Sequence, residues 1–444
     1  SLHIRGTQAD ILSLKSLPFV DKVVFANKTI STTLKKVSEN ANSQTTDKLK
    51  ATVDYAYGTS ANQIQMLNGQ VLHQQNKTGS GKIIAVIDAG FPSVNTAQPF
   101  KRLIDNNQIL GGYDFVNRSD NFYTGDSHGT MVLSTIGGYK ENALVGTAPD
   151  ASFYLFITEY APTENPVEES YWVEAAEKAD SLGVDIITTS LGYFGFDNPN
   201  YSHTYSDMNG STNFISRGAE IAFSKGIIVV SSAGNEGSTA EPHIGAPADA
   251  VSVITVGSVT ASKAKSGFSS IGPSFDGRIK PDVMAQGTAA VVSDTAGNIV
   301  TVNGTSFSCP IMAGMIACLW QAFPAKTNKE IRQMILQSSD RYAAPNNNYG
   351  YGIPNFGSAL EVKDFQNFSS LFSVSPNPAQ TTVSFLFEEG TASISIYSVL
   401  GQKLIEKQIT NQNPILSVED LKSGLYFYTF DTDGVHKTGK IIKQ

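Results

Sequence analysis

Four short segments of the sequence hold the side chains that acyl transfer to water requires: a nucleophile, a base for its proton, a carboxylate to orient that base, and donors for a developing oxyanion. Ile-Asp88-Ala-Gly ends the apolar run Ile83 to Ile87 and offers a carboxylate at the end of a predicted strand. Ser-His128-Gly-Thr follows about 40 residues later and runs into Met131-Val-Leu-Ser-Thr-Ile, a predicted helix whose first turn would hold the imidazole. Gly304-Thr-Ser306 precedes Phe-Ser-Cys-Pro-Ile-Met-Ala-Gly, a predicted helix with Pro310 in its first turn, where proline is tolerated. A serine there gains from the free N–H groups and the positive end of the helix dipole, both suited to a transient oxyanion. Ala233-Gly-Asn235-Glu-Gly follows the run Ile227 to Ser231, so the Asn235 amide can point at the same oxygen.

Singly these signals are weak, because a glycine-flanked serine is usually a turn residue and an aspartate at a strand end usually caps or solvates. The histidine says more: the chain has 6, and His3, His73, His203, His243 and His436 sit in unremarkable polar surroundings. It is the conjunction that carries the argument.

These residues need a scaffold, and the sequence supplies one. Ile83 to Ile87, Ser152 to Ile157, Asp185 to Thr189, Ile227 to Ser231 and Val253 to Val256 are strand candidates rich in Ile and Val. Amphipathic stretches such as Tyr171 to Ser181 and Ile215 to Lys225 alternate with them and end near Gly183 and Gly226. Apolar strands alternating with helices predict a parallel sheet covered on both faces, an α/β fold of three layers with chemistry beyond the carboxyl ends of the strands. Asp88, Ser190 and Asn235 all fall at such ends.

At 444 residues the chain should hold two or three domains. Residues 1 to 30 read as a small strand, helix, strand piece (Leu2 to Arg5, Gln8 to Leu17, Lys22 to Ala26), too short for its own core. Residues 31 to 56 form a linker whose polar part, Ser38 to Lys48, suits cleavage. Residues 57 to 364 carry the α/β pattern. From residue 365 to 444 the pattern changes to alternating apolar and polar residues: Thr382 to Phe387, Ala392 to Tyr397, Lys403 to Thr410, Leu425 to Phe430 and Lys437 to Ile442 predict a small β-sandwich. A net charge of -8 excludes a broad nucleic-acid footprint, and no apolar run is long enough to span a bilayer.

The blocks Val-Ile-Asp88-Ala-Gly, His128-Gly-Thr, Ser190-Leu-Gly, Ala-Gly-Asn235-Glu-Gly, Phe268-Ser-Ser-Ile-Gly-Pro, Lys280-Pro-Asp-Val and Gly-Thr-Ser306-Phe-Ser-Cys-Pro resemble, in order, the signature segments of the subtilisin-like serine proteases. The order aspartate, histidine, serine is theirs, and not that of chymotrypsin or the α/β-hydrolases. The resemblance implies a secreted endopeptidase in which Asp88 orients, His128 is general base and then acid, Ser306 is nucleophile, and Asn235 with the Ser306 N–H binds the oxyanion. It implies no cofactor for catalysis and leaves structural calcium open. Substrate polypeptide would add as an extended strand beside Ser190-Leu191-Gly192, with Ala233 and Gly234 opposite. Glu236 and Tyr193 would lie near the pocket for the side chain preceding the scissile bond, where a carboxylate suits Lys or Arg and an exposed glutamate means nothing; cleavage preference stays open. Two positions depart from the pattern: Met131, where the family often has a second histidine, and Phe307-Ser308, where it has Met-Ala.

Residues 1 to 30 resemble the last part of the family's inhibitory propeptide, which makes the chain's own pro-segment an expected partner. The final 75 or so residues, with Ser375-Pro-Asn-Pro-Ala, Ser423-Gly-Leu-Tyr-Phe-Tyr and Lys440-Ile-Ile-Lys-Gln, resemble the type IX secretion sorting domain of Bacteroidetes. This implies handling by that secretion machinery and release or attachment at the cell surface.

Other features carry less. Cys309 and Cys318, nine residues apart in one predicted helix, would lie roughly 13 Å apart along its axis, too far to pair; they read as buried hydrophobes, with a nucleophilic Cys309 as the alternative. Thr78-Gly-Ser-Gly81-Lys82 lacks the glycine and the following strand order of a phosphate loop. Asp207-Met-Asn-Gly lacks the terminal glutamate of a calcium loop. The aromatic loop Tyr193 to Tyr205 either contacts substrate or covers a core edge. Two competing functions remain at this level: an unused protease scaffold serving as a surface adhesin, and an esterase sharing the same acyl chemistry.

Overall fold

The computed structural model describes residues 7–16, 54–361, 373–387, 390–399, 401–411, 413–432 and 435–444. The chain divides into two compact units, Ser1–Val362 and Lys363–Gln444.

In the first unit a seven-stranded sheet is built from β1 (Ile83–Asp88), β2 (Ile109–Asp114), β3 (Ser152–Ile157), β4 (Ile186–Thr189), β5 (Ile228–Ser232), β6 (Ile254–Val259) and β7 (Val283–Gln286), in the order β2-β3-β1-β4-β5-β6-β7. Every neighbouring pair is parallel. The chain goes from β1 to the edge strand β2, returns inward to β3 beside β1, then crosses to β4 on the other side of β1. The carboxyl ends of β1 and β4 therefore flank the point where the winding reverses, the place where open parallel sheets bind ligands.

Both faces are covered. Ala85, Ile87, Ile187 and Val229 point into one apolar layer with Trp172 and Ala175 of helix α2 (Val167–Ser181) and Ile215 and Ala219 of α3 (Phe214–Ser224). By strand alternation Ile84 and Val86, equally buried, face the other side. There α1 (His128–Gly137) and α4 (Thr305–Ala322) pack against each other, α1 on β1 and α4 across β4 to β7. The Trp172 indole donates to the Thr189 hydroxyl at 3.0 Å, locking α2 onto the last residue of β4, next to Ser190. Removing that ring would cost about 3–5 kcal/mol and loosen the strand end.

The predicted strands appear within a residue or two of their expected limits, except that β6 runs on to Val259 past its expected end at Val256, and β2 and β7 have no counterpart in the sequence reading. β2 carries Gly111 and Gly112, which interrupt its apolar pattern; a Cβ on Gly112 would collide with the Leu155 carbonyl and the Phe122 ring, so glycine permits β3 and Phe122 to close over it. Pro310 also stands elsewhere than expected. It is the sixth residue of α4, inside the helix.

Among residues 1 to 56, α-helix Gln8–Ser13 and a 3-10 turn Leu14–Ser16 are present. The expected strands Leu2 to Arg5 and Lys22 to Ala26, and nearly all of the linker, lie outside the described residues. The second unit holds two antiparallel sheets. Ser373–Ser375, Thr382–Leu386 and Ile415–Ser417 form one; Thr391–Tyr397, Lys403–Thr410, Gly424–Thr432 and Val435–Lys443 form the other. Val383, Phe385, Ile394, Ile396, Phe430 and Ile441 fill the layer between them, the β-sandwich the alternation predicts.

Candidate active site

Asp88 is the last residue of β1 and is fully buried. Its Oδ1 accepts from the Ala89 N–H at 2.8 Å and from His128 Nδ1 at 2.7 Å. Its Oδ2 is buried without a hydrogen-bond partner. His128 opens α1, and its own N–H donates to the Asp126 carboxylate at 2.8 Å, so a free donor of the helix start is satisfied by the residue two before it. The helix reaches this place because residue 129 is glycine: a Cβ there would collide with the Gly90 carbonyl and stand 3.0 Å from the Asp88 Cβ. The two glycines of the flanking motifs thus serve one close approach.

Burial lowers the affinity of the His128 ring for a proton, but the Asp88 carboxylate, through its charge and its hydrogen bond, and then Asp126, outweigh it, and the imidazole pKa is raised above its ordinary value. The Nδ1 contact assigns the tautomer: Nδ1–H faces the carboxylate and Nε2 is left to accept.

Ser306 is the second residue of α4 and only partly buried. Its hydroxyl is 3.5 Å from the Ser190 carbonyl oxygen, and it makes no hydrogen bond to His128 in this rotamer. The ring of the next residue, Phe307, is 5.8 Å from the imidazole, centroid to centroid. Because Pro310 has no N–H, the Ser306 carbonyl loses its helical donor. Ser190 replaces it, its hydroxyl donating to Ser306 O at 2.8 Å. The strand end after β4 and the start of α4 are joined at the point where Ser306 must be held.

Asn235 lies in the turn after β5, where Gly234 takes a φ of 102° that few other residues adopt. Its Oδ1 accepts from the Thr305 N–H at 3.0 Å and the Thr305 hydroxyl at 3.1 Å. The Thr305 oxygen in turn accepts from the Gly234 N–H at 3.2 Å. With the amide oxygen fixed, the Nδ2 donors must face the other way. Thr305 was not singled out from the sequence, although it stands inside the Gly-Thr-Ser motif.

A cavity of about 500 Å³ opens at Ser306. Ser190, Leu191 and Gly192 line it, as do Ala233, Gly234 and Asn235. Glu236 lines it as expected; Glu164 and Glu241, which carried no sequence signal, line it as well. Tyr193 does not. Its side chain is buried in the core beside Phe196, and its hydroxyl donates to the Glu159 carboxylate. The aromatic loop does both things expected of it: Tyr193 and Phe196 are buried in the core, while Phe194 lines the cavity.

Carboxylate oxygens of Glu159, Glu164 and Glu168 lie within 4.8 Å of one another. Burial pushes the Glu159 carboxyl up to about 8, and burial with the charges of Glu168 and Asp197 pushes Glu164 up to about 7. The Tyr160 and Asn165 N–H groups each donate to Glu168 at 2.8 Å. The group is held by protons and donors of its own loop.

The remaining motifs have structural partners. Lys82 pairs with Asp185 at 3.3 Å, and Asp207 accepts from the Thr204 N–H at 2.8 Å as a helix cap. Cys309 and Cys318 are free thiols buried in α4. Burial pushes Cys309 up to about 12, which removes the thiolate that a nucleophile needs.

Comparison with known proteins follows this geometry. Residues 79–352 match the model of the Subtilase family, and residues 373–444 match that of the Secretion system C-terminal sorting domain. The chain is similar to Subtilisin NAT of Bacillus subtilis subsp. natto, with 32% identity covering 67% of this chain and 70% of that protein. It is also similar to Subtilisin of Bacillus pumilus, with 31% identity covering 67% of this chain and 98% of that protein. Among solved structures, MycP1 with the N-terminal propeptide removed aligns with a TM-score of 0.55 at 24% identity, over 69% of this chain and 98% of that one. MycP1 from Mycobacterium smegmatis aligns at 0.56 and 22%, over 73% and 90%. At that identity these two structures speak for the fold alone.

Proposed function

Because this chain belongs to the subtilase family and is a secreted serine endopeptidase, we propose that Asp88, His128 and Ser306 are its catalytic triad and that Asn235 with the Ser306 N–H binds the oxyanion. The observation that carries the assignment is the 2.7 Å contact of His128 Nδ1 with Asp88 Oδ1, which leaves Nε2 as the base.

The substrate chain lies extended between Ser190-Leu191-Gly192 and Ala233-Gly234. Rotation about the Ser306 Cα–Cβ bond carries the hydroxyl from the Ser190 carbonyl to His128 Nε2, which takes its proton as Oγ adds to the scissile carbonyl. The imidazolium is balanced by Asp88, whose buried, half-unpartnered carboxylate has no competing donor at Oδ2. The new alkoxide faces Asn235 Nδ2 and the first free N–H groups of α4. His128 then protonates the leaving amine, and water repeats the sequence on the acyl-enzyme. Catalysis in this family calls for no cofactor.

The C-terminal sorting domain directs the chain through type IX secretion to the cell surface or the extracellular space. Its partner is that secretion machinery. Residues 1 to 30 act as a pro-segment that blocks the groove until the linker, residues 31 to 56, is cut; the peptidase domain is 57 to 364 and the sorting domain 365 to 444. Neither an adhesin nor an esterase is favoured by any feature of the site.

Ser306→Ala is the test. It should lower kcat on casein by about 10⁴-fold or more, leaving only what binding and the oxyanion donors supply, and it should abolish labelling by a fluorophosphonate. Equal cleavage by the variant would remove the assignment.

A further inference from the structure

The cavity at Ser306 is acidic on more than one side. Glu164 comes from the loop between β3 and α2, Glu236 from the turn after β5, and Glu241 from the loop leading to β6; no lysine or arginine lines it. Among the described residues no cation neighbours Glu164: the charges around it are Glu168 on α2 and Asp197 of the aromatic loop, with the Glu159 carboxyl from the end of β3 in the same cluster. Glu241 Oε2 is 3.8 Å from His243 Nδ1, and the His243 ring is stacked on Tyr205 at 3.9 Å.

Leu191 and Phe194 supply an apolar stretch of the same lining. Such a wall suits the methylene stem of a long side chain that carries its charge at the tip. A carboxylate desolvated in a cavity and crowded by like charges keeps its proton to higher pH, as the rise of Glu164 to about 7 indicates. A cationic tip can replace that proton. A neutral side chain cannot, and leaves the carboxyl groups desolvated without a partner.

We infer that this cavity receives a lysine or arginine side chain of the substrate, on the acyl side of the bond to be cleaved. Glu236, adjacent to Asn235, borders the residue whose carbonyl meets Ser306. Glu164 contributes from the opposite loop. The side of the bond rests on the catalytic reading given above; the acidity of the cavity does not.

Binding measured without turnover keeps the two apart. Fluorophore-labelled tetrapeptide amides ending in Arg, Lys, Leu or Glu are titrated into the Ser306→Ala protein after an added protease has cut its linker and the freed pro-segment has been removed, with fluorescence anisotropy as the readout. Arg and Lys should bind about tenfold tighter than Leu, and Glu weakest. In the same background Glu164→Gln and Glu236→Gln should each lower the Arg-to-Leu ratio by about threefold, and the Glu164 change should also remove the strengthening of Arg binding between pH 6 and 8 that deprotonation of Glu164 produces. The ratio does not depend on how much of a preparation is folded. Equal affinities for Arg and Leu, or a ratio untouched by both substitutions, would overturn the inference. Ser306→Ala protein that still cleaves peptide would sink the role of Ser306 and leave the cation site standing.

Discussion

The Ser190 hydroxyl donates to the Ser306 carbonyl oxygen at 2.8 Å, filling the acceptor that Pro310 leaves open one turn into α4. A helix defect and a strand end are thereby converted into one joint. In the opposite direction the Ser306 hydroxyl rests 3.5 Å from the Ser190 carbonyl, too long to hold it strongly. The backbone of residue 306 is fixed while its side chain stays free to turn.

That joint gives the first prediction. Ser190→Ala leaves a buried carbonyl without a donor, which costs about 1–3 kcal/mol. The melting temperature should fall, and kcat should fall with it because the Ser306 backbone is no longer pinned to the strand. Pro310→Ala should partly rescue the double variant by returning an N–H to that carbonyl. Thermal denaturation of the single and double variants measures it, and strictly additive losses would refute the shared acceptor.

The second concerns pH. His128 has a raised pKa because Asp88, then Asp126, outweigh the effect of burial. A raised pKa keeps the ring protonated to higher pH, so the base form is lost earlier on acidification. The acidic limb of kcat/KM should therefore titrate above the ordinary value of about 6.5. Asp88→Asn removes the largest cause that raises it; the limb should shift to lower pH and the plateau rate fall by roughly 10⁴-fold. A profile whose acidic limb is the same in both proteins would show that another group controls it.

How much of this was legible before folding follows from local chemistry. β1, β3 and β5 announce themselves because strands buried on both faces carry apolar runs, Ile and Val in β1 and β5 and Phe, Tyr and Leu in β3. β2 does not, because Gly111 and Gly112 serve a close approach that exists only once β3 and Phe122 are in place. The segments around Asp88, His128, Asn235 and Ser306 are visible because each close approach there demands glycine beside a polar residue. Glu164 gave no signal: it is an ordinary loop glutamate until α2 and the loop after β3 fold it against the cavity. Tyr193 misled, since its place beside Ser190-Leu-Gly suggested a pocket residue, whereas its ring packs into the core beside Phe196 and its hydroxyl reaches the Glu159 carboxylate. Pro310 was legible as a proline near a helix start but not as a residue inside it, because the helix begins at Thr305, before the motif's last polar residues.

The third prediction separates the thiols from the chemistry. Cys309 contacts the Thr188 hydroxyl and the Thr189 carbonyl at 3.5 Å, and Cys318 the Thr147 carbonyl at 3.2 Å, with burial pushing both thiols up. Iodoacetamide should label neither in the folded protein at neutral pH and both in denaturant, as mass spectrometry would read. Rapid labelling of Cys309 in the native state, with loss of activity, would reopen its candidacy as a nucleophile.

The last concerns what holds β7 under the site. Lys280 is buried, and its Nζ donates to the Val253 carbonyl at 3.0 Å, the Thr255 hydroxyl at 2.9 Å and the Asp282 carboxylate at 2.7 Å. Asp282 also accepts from Arg332 at 2.7 Å and from the Thr255 N–H at 2.9 Å. Burial pushes the Asp282 carboxyl up, but Lys280 and then Arg332 outweigh it, and the pKa is lowered. A depressed carboxylate contributes stability above the unfolded value, near 4, and loses it as the pH falls through the folded value. Asp282→Asn strands the Lys280 ammonium and the Arg332 guanidinium around a neutral amide and should cost about 3–5 kcal/mol at neutral pH. The penalty relative to the parent should begin to shrink below about pH 4, where the unfolded carboxylate takes up its proton, and should go on shrinking as the pH falls through the lower folded value. Adding Lys280→Met should recover most of the loss, because it removes the more deeply buried of the two uncompensated charges. Urea titrations at pH 7 and pH 3 decide the matter: a loss that Lys280→Met deepens, or one that is independent of pH, would mean the pair acts by shape and not by charge.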